Sequence, residues 1–240
     1  MPLPTLSAKH LSRDFASRHA AMDIGIELAQ GEVLGLLGRN GAGKSTVMQM
    51  LAGVLAPTRG TVEICGIDLA VDSKAAKMQL GYLPEQPPLY RDMSVDDYLT
   101  FAAQLRRMSQ PSDAVNRAKA RCGLSDVGKR LIAHLSKGFR QRVGIAQAIV
   151  HNPRVVILDE PSAGLDPLQI REIHQLIREL GDESSVIFST HILSEAETLC
   201  DRIHILRDGK IVFSGRGAEL AVQRGVEQAF LHLSGEEEIA

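Results

Sequence analysis

Nine consecutive residues, Gly38-Arg39-Asn40-Gly41-Ala42-Gly43-Lys44-Ser45-Thr46, constrain this chain more than any other stretch. Ahead of them Glu32-Val33-Leu34-Gly35-Leu36-Leu37 is short and apolar and reads as a buried strand. Behind them Val47, Met50, Leu51 and Val54 recur at helical spacing. Strand, glycine loop and helix in that order form an anion site, because the glycines let the backbone turn with its N–H groups inward and the helix N-terminus adds its dipole. In such a site Lys44 reaches the β- and γ-phosphates of a nucleotide, and the Ser45 hydroxyl holds Mg²⁺. The plainer alternative is a glycine-rich turn closing an ordinary strand–helix pair. The full G-x-x-x-x-G-K-S spacing argues against it.

Two further strand ends point to the same phosphate. Val155-Val156-Ile157-Leu158 is wholly apolar and ends in Asp159-Glu160, followed by Pro161. A buried parallel strand needs no charge at its end, and ligands of open α/β sheets collect at the C-terminal ends of strands. Asp159 can hold the water shell of a metal, and Glu160 can orient and deprotonate an attacking water. A solvated strand end is the alternative. Ser185-Val186-Ile187-Phe188-Ser189-Thr190 is another apolar strand, with His191 just past it. Between the two, Asp166 before Pro167 fits a helix N-cap with proline at the first helical position, leading into Ile170, Ile173, Ile177 and Leu180 on one face.

The remaining pattern completes an α/β reading. Residues 3–29 look like strands, Ile24, Ile26 and Leu28 alternating with Gly25 and Glu27. Phe15, among Arg13, Asp14 and Arg18, is either a small core anchor or a platform for a nucleotide base. Ala56-Pro57-Thr58-Arg59-Gly60 is a turn before the strand Thr61-Val62-Glu63-Ile64, and Leu80-Gly81-Tyr82-Leu83 is a strand stopped by Pro84. Residues 92–150 turn helical. Ser94 with Asp97 caps Val95, Tyr98, Leu99 and Ala102; residues 112–122 carry a charged, solvated face. Leu135-Ser136-Lys137-Gly138 opens a helix with Phe139, Val143, Ala146 and Val150 on one face. Arg207-Asp208-Gly209 marks a hairpin between Ile203-His204-Ile205-Leu206 and Lys210-Ile211-Val212-Phe213. The expected fold is α/β: a P-loop NTPase (RecA-like) core with an N-terminal antiparallel β subdomain and a helical insert subdomain.

A formal net charge of −2 argues against a nucleic-acid partner. Cys65, Cys122 and Cys200, odd in number and without C-x-x-C spacing, read as reduced thiols rather than a metal site. Met1-Pro2-Leu3-Pro4 does not begin a signal peptide, and no apolar run reaches about 18 residues. The chain is expected neither to cross a membrane nor to be exported.

Taken together, the Lys44 loop, Leu135-Ser136-Lys137-Gly138-Phe139-Arg140-Gln141-Arg142, Asp159-Glu160, Ser162-Ala163-Gly164-Leu165-Asp166 and His191 resemble the nucleotide-binding subunit of an ABC transporter. They match its Walker A, signature, Walker B, D-loop and H-loop motifs, and the resemblance runs over residues 3–233. It implies one ATPase domain over 1–240. Residues 1–84 and 151–233 would form the β subdomain and P-loop core, 85–150 the Q-loop and helical signature subdomain, and 234–240 a tail. It also implies a head-to-tail homodimer sandwiching two ATP molecules with Mg²⁺. One chain would supply the 38–46 loop, Asp159, Glu160 and His191, and the other Ser136 and Gly138. Asp166 would communicate across that interface, and Phe15, where the family has a stacking aromatic, would hold the base.

Two departures accompany the resemblance. Leu-Ser-Lys-Gly-Phe stands where Leu-Ser-Gly-Gly-Gln is common, and the Q-loop glutamine position falls on Glu85 with Gln86 one place later. Glu85 at Mg²⁺ adds a charge where an amide is usual; a one-residue shift presents Gln86 instead. Both departures are similar to the ABC-2 type exporter branch, whose C-terminal stretch Val226-Glu227-Gln228-Ala229-Phe230-Leu231-His232-Leu233 also resembles. The resemblance implies ATP hydrolysis to ADP and phosphate, coupled to transport through separate integral-membrane permease subunits at the cytoplasmic face of the membrane. Residues 85–97, with Leu89 and Tyr90, would receive the permease. The alternatives are a soluble ABC-type ATPase acting as an assembly or scaffold factor, and a module that binds ATP but hydrolyses it poorly.

Overall fold

Alternating side chains build the first sheet. In the computed structural model, which describes residues 3–16, 18–216 and 219, β1 (Leu6–Phe15) and β2 (Arg18–Leu28) pair antiparallel with Leu6 opposite Leu28, Ala8 opposite Ile26 and Leu11 opposite Ile24. Ile24, Ile26 and Leu28 are buried while Gly25 and Glu27 face out, as period-two alternation requires. After β3 (Val33–Leu37) and α1 (Lys44–Leu51), β4 (Arg59–Ile64) joins β1, and the two-residue β5 (Ile67–Asp68) completes the order β2-β1-β4-β5.

A second sheet carries the phosphate loop. α2 (Ser73–Met78) leads to β6 (Leu80–Leu83). Then come three helices, α3 (Val95–Leu105), α4 (Pro111–Arg121) and α5 (Lys137–Ile149), followed by β7 (Val155–Leu158), α6 (Pro167–Gly181) and β8 (Ser185–Thr190). α7 (Leu193–Leu199), β9 (Arg202–Arg207) and β10 (Lys210–Gly215) end the described chain. The order is β10-β9-β3-β8-β7-β6, parallel except for β10, which turns back on β9. Asp208 and Gly209 both take positive φ there, the twist a tight hairpin demands.

Each parallel strand buries both faces. Val155 and Ile157 pack with Leu34, Leu36 and Ile187 toward α1 and the first sheet. Val156, Leu158, Val186 and Phe188 pack toward Val143 of α5 and Ile173 and Ile177 of α6. The helical insert shares that second core through Leu99, Ala102, Val115 and Ala118, so it is fastened to the sheet. Ser94 caps α3, its hydroxyl accepting the Asp97 N–H at 3.1 Å, and Lys119 of α4 lies 2.5 Å from Asp96.

Two helix expectations need correction. Val54 is not on the buried face of α1: the helix ends at Leu51, Gly53 turns left-handed at φ 64°, and Val54 is swung out to 64% exposure. α5 is buried more widely than one face, since Gln141, Gly144, Ile145, Ala148 and Ile149 are covered as well. It lies between the insert and the sheet. The stretch 226–233 and the tail at 234–240 fall outside the described residues.

Candidate active site

Register brings the reactive groups to one edge. Leu37 pairs with Thr190 and Leu158 with Phe188, so the loop after β3, the carboxylates after β7 and His191 after β8 leave the sheet side by side. This is the carboxyl edge where open α/β sheets hold ligands.

The loop is shaped by close backbone approach. Gly43 has φ 108°, and a Cβ there would lie 2.3 Å from the Ala20 carbonyl, so only glycine fits between β2 and the start of α1. The Arg18 guanidinium donates to the Gly41 carbonyl at 2.7 Å. Lys44 folds back over the loop, its ammonium donating to the carbonyls of Gly38 at 2.8 Å and Arg39 at 3.3 Å. Ala42 and Gly209 join by a backbone hydrogen bond that pins the loop to the β9–β10 turn.

The carboxylates form the second half. Asp159 is 1% exposed, which rules out a solvated strand end. It accepts hydrogen bonds from Ser189 Oγ at 2.6 Å and Ser45 Oγ at 3.3 Å. Burial pushes its carboxyl above the usual range, the two hydroxyls oppose that, and the nearby charges of Glu85 and Glu160 add to it. Such a buried acidic group favours a bound cation. Glu160 lies with one oxygen 3.1 Å from the Lys44 ammonium and the other 3.0 Å from His191 Nδ1, and its own N–H donates to Ser189 Oγ at 2.9 Å.

Part of this set lines a cavity of about 550 Å³, a size suited to a nucleotide; Gly38, Arg39, Ala42 and Asp159 are not among its lining residues, and Asp159 reaches it through the Ser45 hydroxyl. Asn40, Gly41, Gly43, Lys44, Ser45 and Thr46 line it together with Glu160 and His191. Phe15 and Arg18 also line it. Phe15 is 43% exposed, with the Arg13 guanidinium 4.7 Å from the ring centroid, so it is no core anchor. Glu85 lines the cavity and Gln86 is not among its lining residues.

Three expected site residues stand elsewhere within the chain. Ser136 caps α5, accepting the Phe139 N–H at 3.3 Å; Gly138 is pressed against the Gln169 side chain; Asp166 caps α6, accepting from Leu168 and Gln169 N–H at 3.0 Å each. None lines the cavity. The sequence reading missed Arg18 and Ser189. Ser189 left a faint signal, two hydroxyl residues closing an otherwise apolar strand; Arg18 left none, since its contact depends on how the β1–β2 hairpin lies over the loop.

A phosphate loop after β3, with an exposed-edge histidine after the adjacent strand β8 and a buried aspartate after β7 one strand further on, defines a P-loop nucleoside triphosphatase. Comparison with known proteins narrows the class. Residues 21–163 match the ABC transporter family. The chain is 37% identical over 221 residues to the ABC transporter ATP-binding protein YxlF of Bacillus subtilis, covering 91% of this chain and 73% of that one. It is 36% identical over 204 residues to the bacitracin transport ATP-binding protein BcrA of Bacillus licheniformis, covering 84% and 66%. A solved structure of an ATP binding subunit of an ABC transporter superposes with a TM-score of 0.86 at 30% identity, covering 96% and 99%. The chain belongs to the ABC transporter family, as an ATP-binding subunit whose ATP hydrolysis drives transport. Such subunits work with membrane permease components. Among the described residues no helix is long and apolar enough to cross a membrane.

Proposed function

We propose that this subunit works as a head-to-tail homodimer on the cytoplasmic face of a membrane, closing over two ATP molecules and reopening on hydrolysis to drive an exporter of the ABC-2 type. The supporting observation is the position of the signature. Ser136 starts α5 with its hydroxyl at the exposed helix end, yet neither it nor Gly138 lines the chain's own cavity. A hydroxyl and a helix N-terminus placed there can meet a γ-phosphate only if a second chain brings it.

Within one site, Phe15 stacks on the base, and the loop N–H groups around Gly41, Gly43 and Thr46 cradle the phosphates. Ser45, Asp159 and Glu85 would hold Mg²⁺, which would supply positive charge to offset that of the phosphates. The fit rests on the buried Asp159 carboxylate beside the Ser45 hydroxyl, with Glu85 near enough to raise its pKa. Lys44 and Glu160 lie 3.1 Å apart. A γ-phosphate competes for that ammonium and releases the carboxylate to take a proton from the attacking water. Lys44 and His191 then stabilise the charge that develops on the phosphoryl oxygens.

The permease would dock on the aromatic patch of the insert. Tyr90, 56% exposed, packs edge-on against Tyr98 with centroids 6.0 Å apart and lies 5.9 Å from Phe101. The name of BcrA, a protein of bacitracin transport, supports the exporter reading.

The test is ATP hydrolysis per chain as a function of chain concentration, beside Glu160→Gln and Ser136→Ala. A rate that rises with concentration and falls at least about tenfold in both variants is expected. A rate independent of concentration and indifferent to Ser136 would show each chain working alone.

A further inference from the structure

Glu195 is a buried carboxylate on α7 that the hydrolytic scheme does not use. It is 4% exposed, and its surroundings are built for it. The Ser162 hydroxyl donates to Oε1 at 2.6 Å, the Thr190 hydroxyl donates to Oε2 at 2.6 Å, and His174 Nε2 of α6 lies 3.3 Å from Oε1. Thr190 Oγ1 in turn accepts the Ile192 N–H at 3.0 Å, which fixes the backbone on the far side of His191. Burial raises the Glu195 carboxyl, but the neighbouring His174 ring and the hydrogen bonds from Ser162 and Thr190 outweigh it and hold the group ionised, below its usual range.

The two hydroxyls come from the two segments that carry the hydrolytic pair. Ser162 is two residues after Glu160, and Thr190 is the residue before His191. Glu160 and His191 themselves meet at 3.0 Å on the other side. One carboxylate therefore clasps both segments behind the site, one oxygen for each. Ser162 also begins Ser162-Ala163-Gly164-Leu165-Asp166, the segment that the proposed dimer turns toward its partner.

We propose that Glu195 is a positioning residue that locks the Glu160 and His191 segments together, so that movement of the 162–166 segment on dimer closure is transmitted to His191. This rests on the reading of Glu160 and His191 as the hydrolytic pair. Glu195→Gln keeps the volume but removes the charge and replaces one of the two acceptor oxygens with a donor, so one hydroxyl must turn round to accept and both charge-assisted hydrogen bonds are lost. Losing a charge-assisted hydrogen bond in a buried network changes the geometry of the pair without touching the nucleotide.

The experiment measures kcat for ATP hydrolysis and the dissociation constant of a fluorescent ATP analogue in full-length protein. The variants are Glu195→Gln, Ser162→Ala, Thr190→Val and the Ser162→Ala/Thr190→Val pair, with Glu197→Gln on the exposed face of α7 as control. Expected is a fall of about tenfold in kcat for Glu195→Gln with analogue affinity within about twofold of wild type. The paired variant should match Glu195→Gln rather than sum the single losses, because both act through one carboxylate. Wild-type kcat in Glu195→Gln overturns the inference. So do additive effects of the two hydroxyl variants, or parallel loss of kcat and affinity in Glu195→Gln with both hydroxyl variants unimpaired. If Glu195→Gln does not bind the analogue at all, the hydroxyl variants decide: reduced kcat at preserved affinity supports the clasp, and unchanged kcat sinks it. Glu160→Gln run alongside separates the two claims, since full turnover in that variant would overturn the hydrolytic reading itself.

Discussion

Glu160 holds a left-handed backbone conformation, φ 48°, which a non-glycine residue adopts only when its surroundings over-determine it. Here the Ser189 hydroxyl takes the Glu160 N–H and gives its own proton to Asp159, so one small side chain sets both carboxylates. Strain of this kind costs about 1–3 kcal/mol and is concentrated at functional sites. Ser189→Ala leaves a buried N–H without its acceptor. Urea unfolding of that variant should show a loss of about 1–3 kcal/mol. ATP turnover should fall with it, whereas an unchanged unfolding midpoint would mean the backbone at Glu160 is held by other contacts. Asp159 and Glu160 were legible in the sequence because two carboxylates at the end of an apolar strand contradict burial unless chemistry needs them. Ser189 was hard to see, because a serine in an apolar strand has no pattern of its own; only the pairing of β7 with β8 shows what it holds.

At the scale of elements, caps were readable and faces were less so. Asp166 and Pro167 announced the start of α6 because an N-cap acts within three residues of itself. The structure shows the aspartate accepting from Leu168 and Gln169 N–H. Asp166→Ala should lower stability by about 1 kcal/mol in urea unfolding, while Asp166→Asn, an equally good cap, should not. If hydrolysis falls in Asp166→Asn with stability intact, the residue also acts across the proposed interface; if hydrolysis follows stability in both variants, it is a cap alone. α5 showed only one apolar face in the sequence. Gln141 and Gly144 gave no hydrophobic signal, yet both are covered, since the insert and the sheet clamp the helix from two sides. Val54 failed for a related reason, because helical spacing continues on paper past the glycine that ends the helix.

Across the whole molecule, two histidines tie stability to acidity. His151 and His204 are buried, and burial lowers both from 6.5 to about 4, with Arg106 adding to the shift at His151 and Arg202 at His204. The His151 ring donates from Nε2 to the Leu80 carbonyl, which leaves Nδ1 buried without a partner for an added proton. Between the two values the unfolded chain binds protons that the folded chain refuses. Stability is therefore full above about pH 6.5 and declines as pH falls toward about 4, by roughly 3 kcal/mol for each histidine at the end of that window. Urea midpoints measured across the window should fall, and His204→Gln should flatten the slope. An equal slope in that variant would show that other groups carry the pH dependence.

The sequence by itself determined the strand–loop–helix of the phosphate site, the acidic and histidine strand ends, the α/β order and the family. Each of these is written in local terms: spacing within a loop, period along a strand, a cap next to its helix. Tertiary structure decided which residues meet across the chain. It put Glu85 rather than Gln86 on the cavity wall, laid Arg18 against the Gly41 carbonyl and closed Glu195 around Ser162 and Thr190. Those contacts join residues far apart or on different strands, and their partners are ordinary polar side chains that carry no pattern. The pairing of β7 with β8 brings the Ser162 and Thr190 segments to one carboxylate on α7, and the lie of the β1–β2 hairpin over the loop brings Arg18 to Gly41.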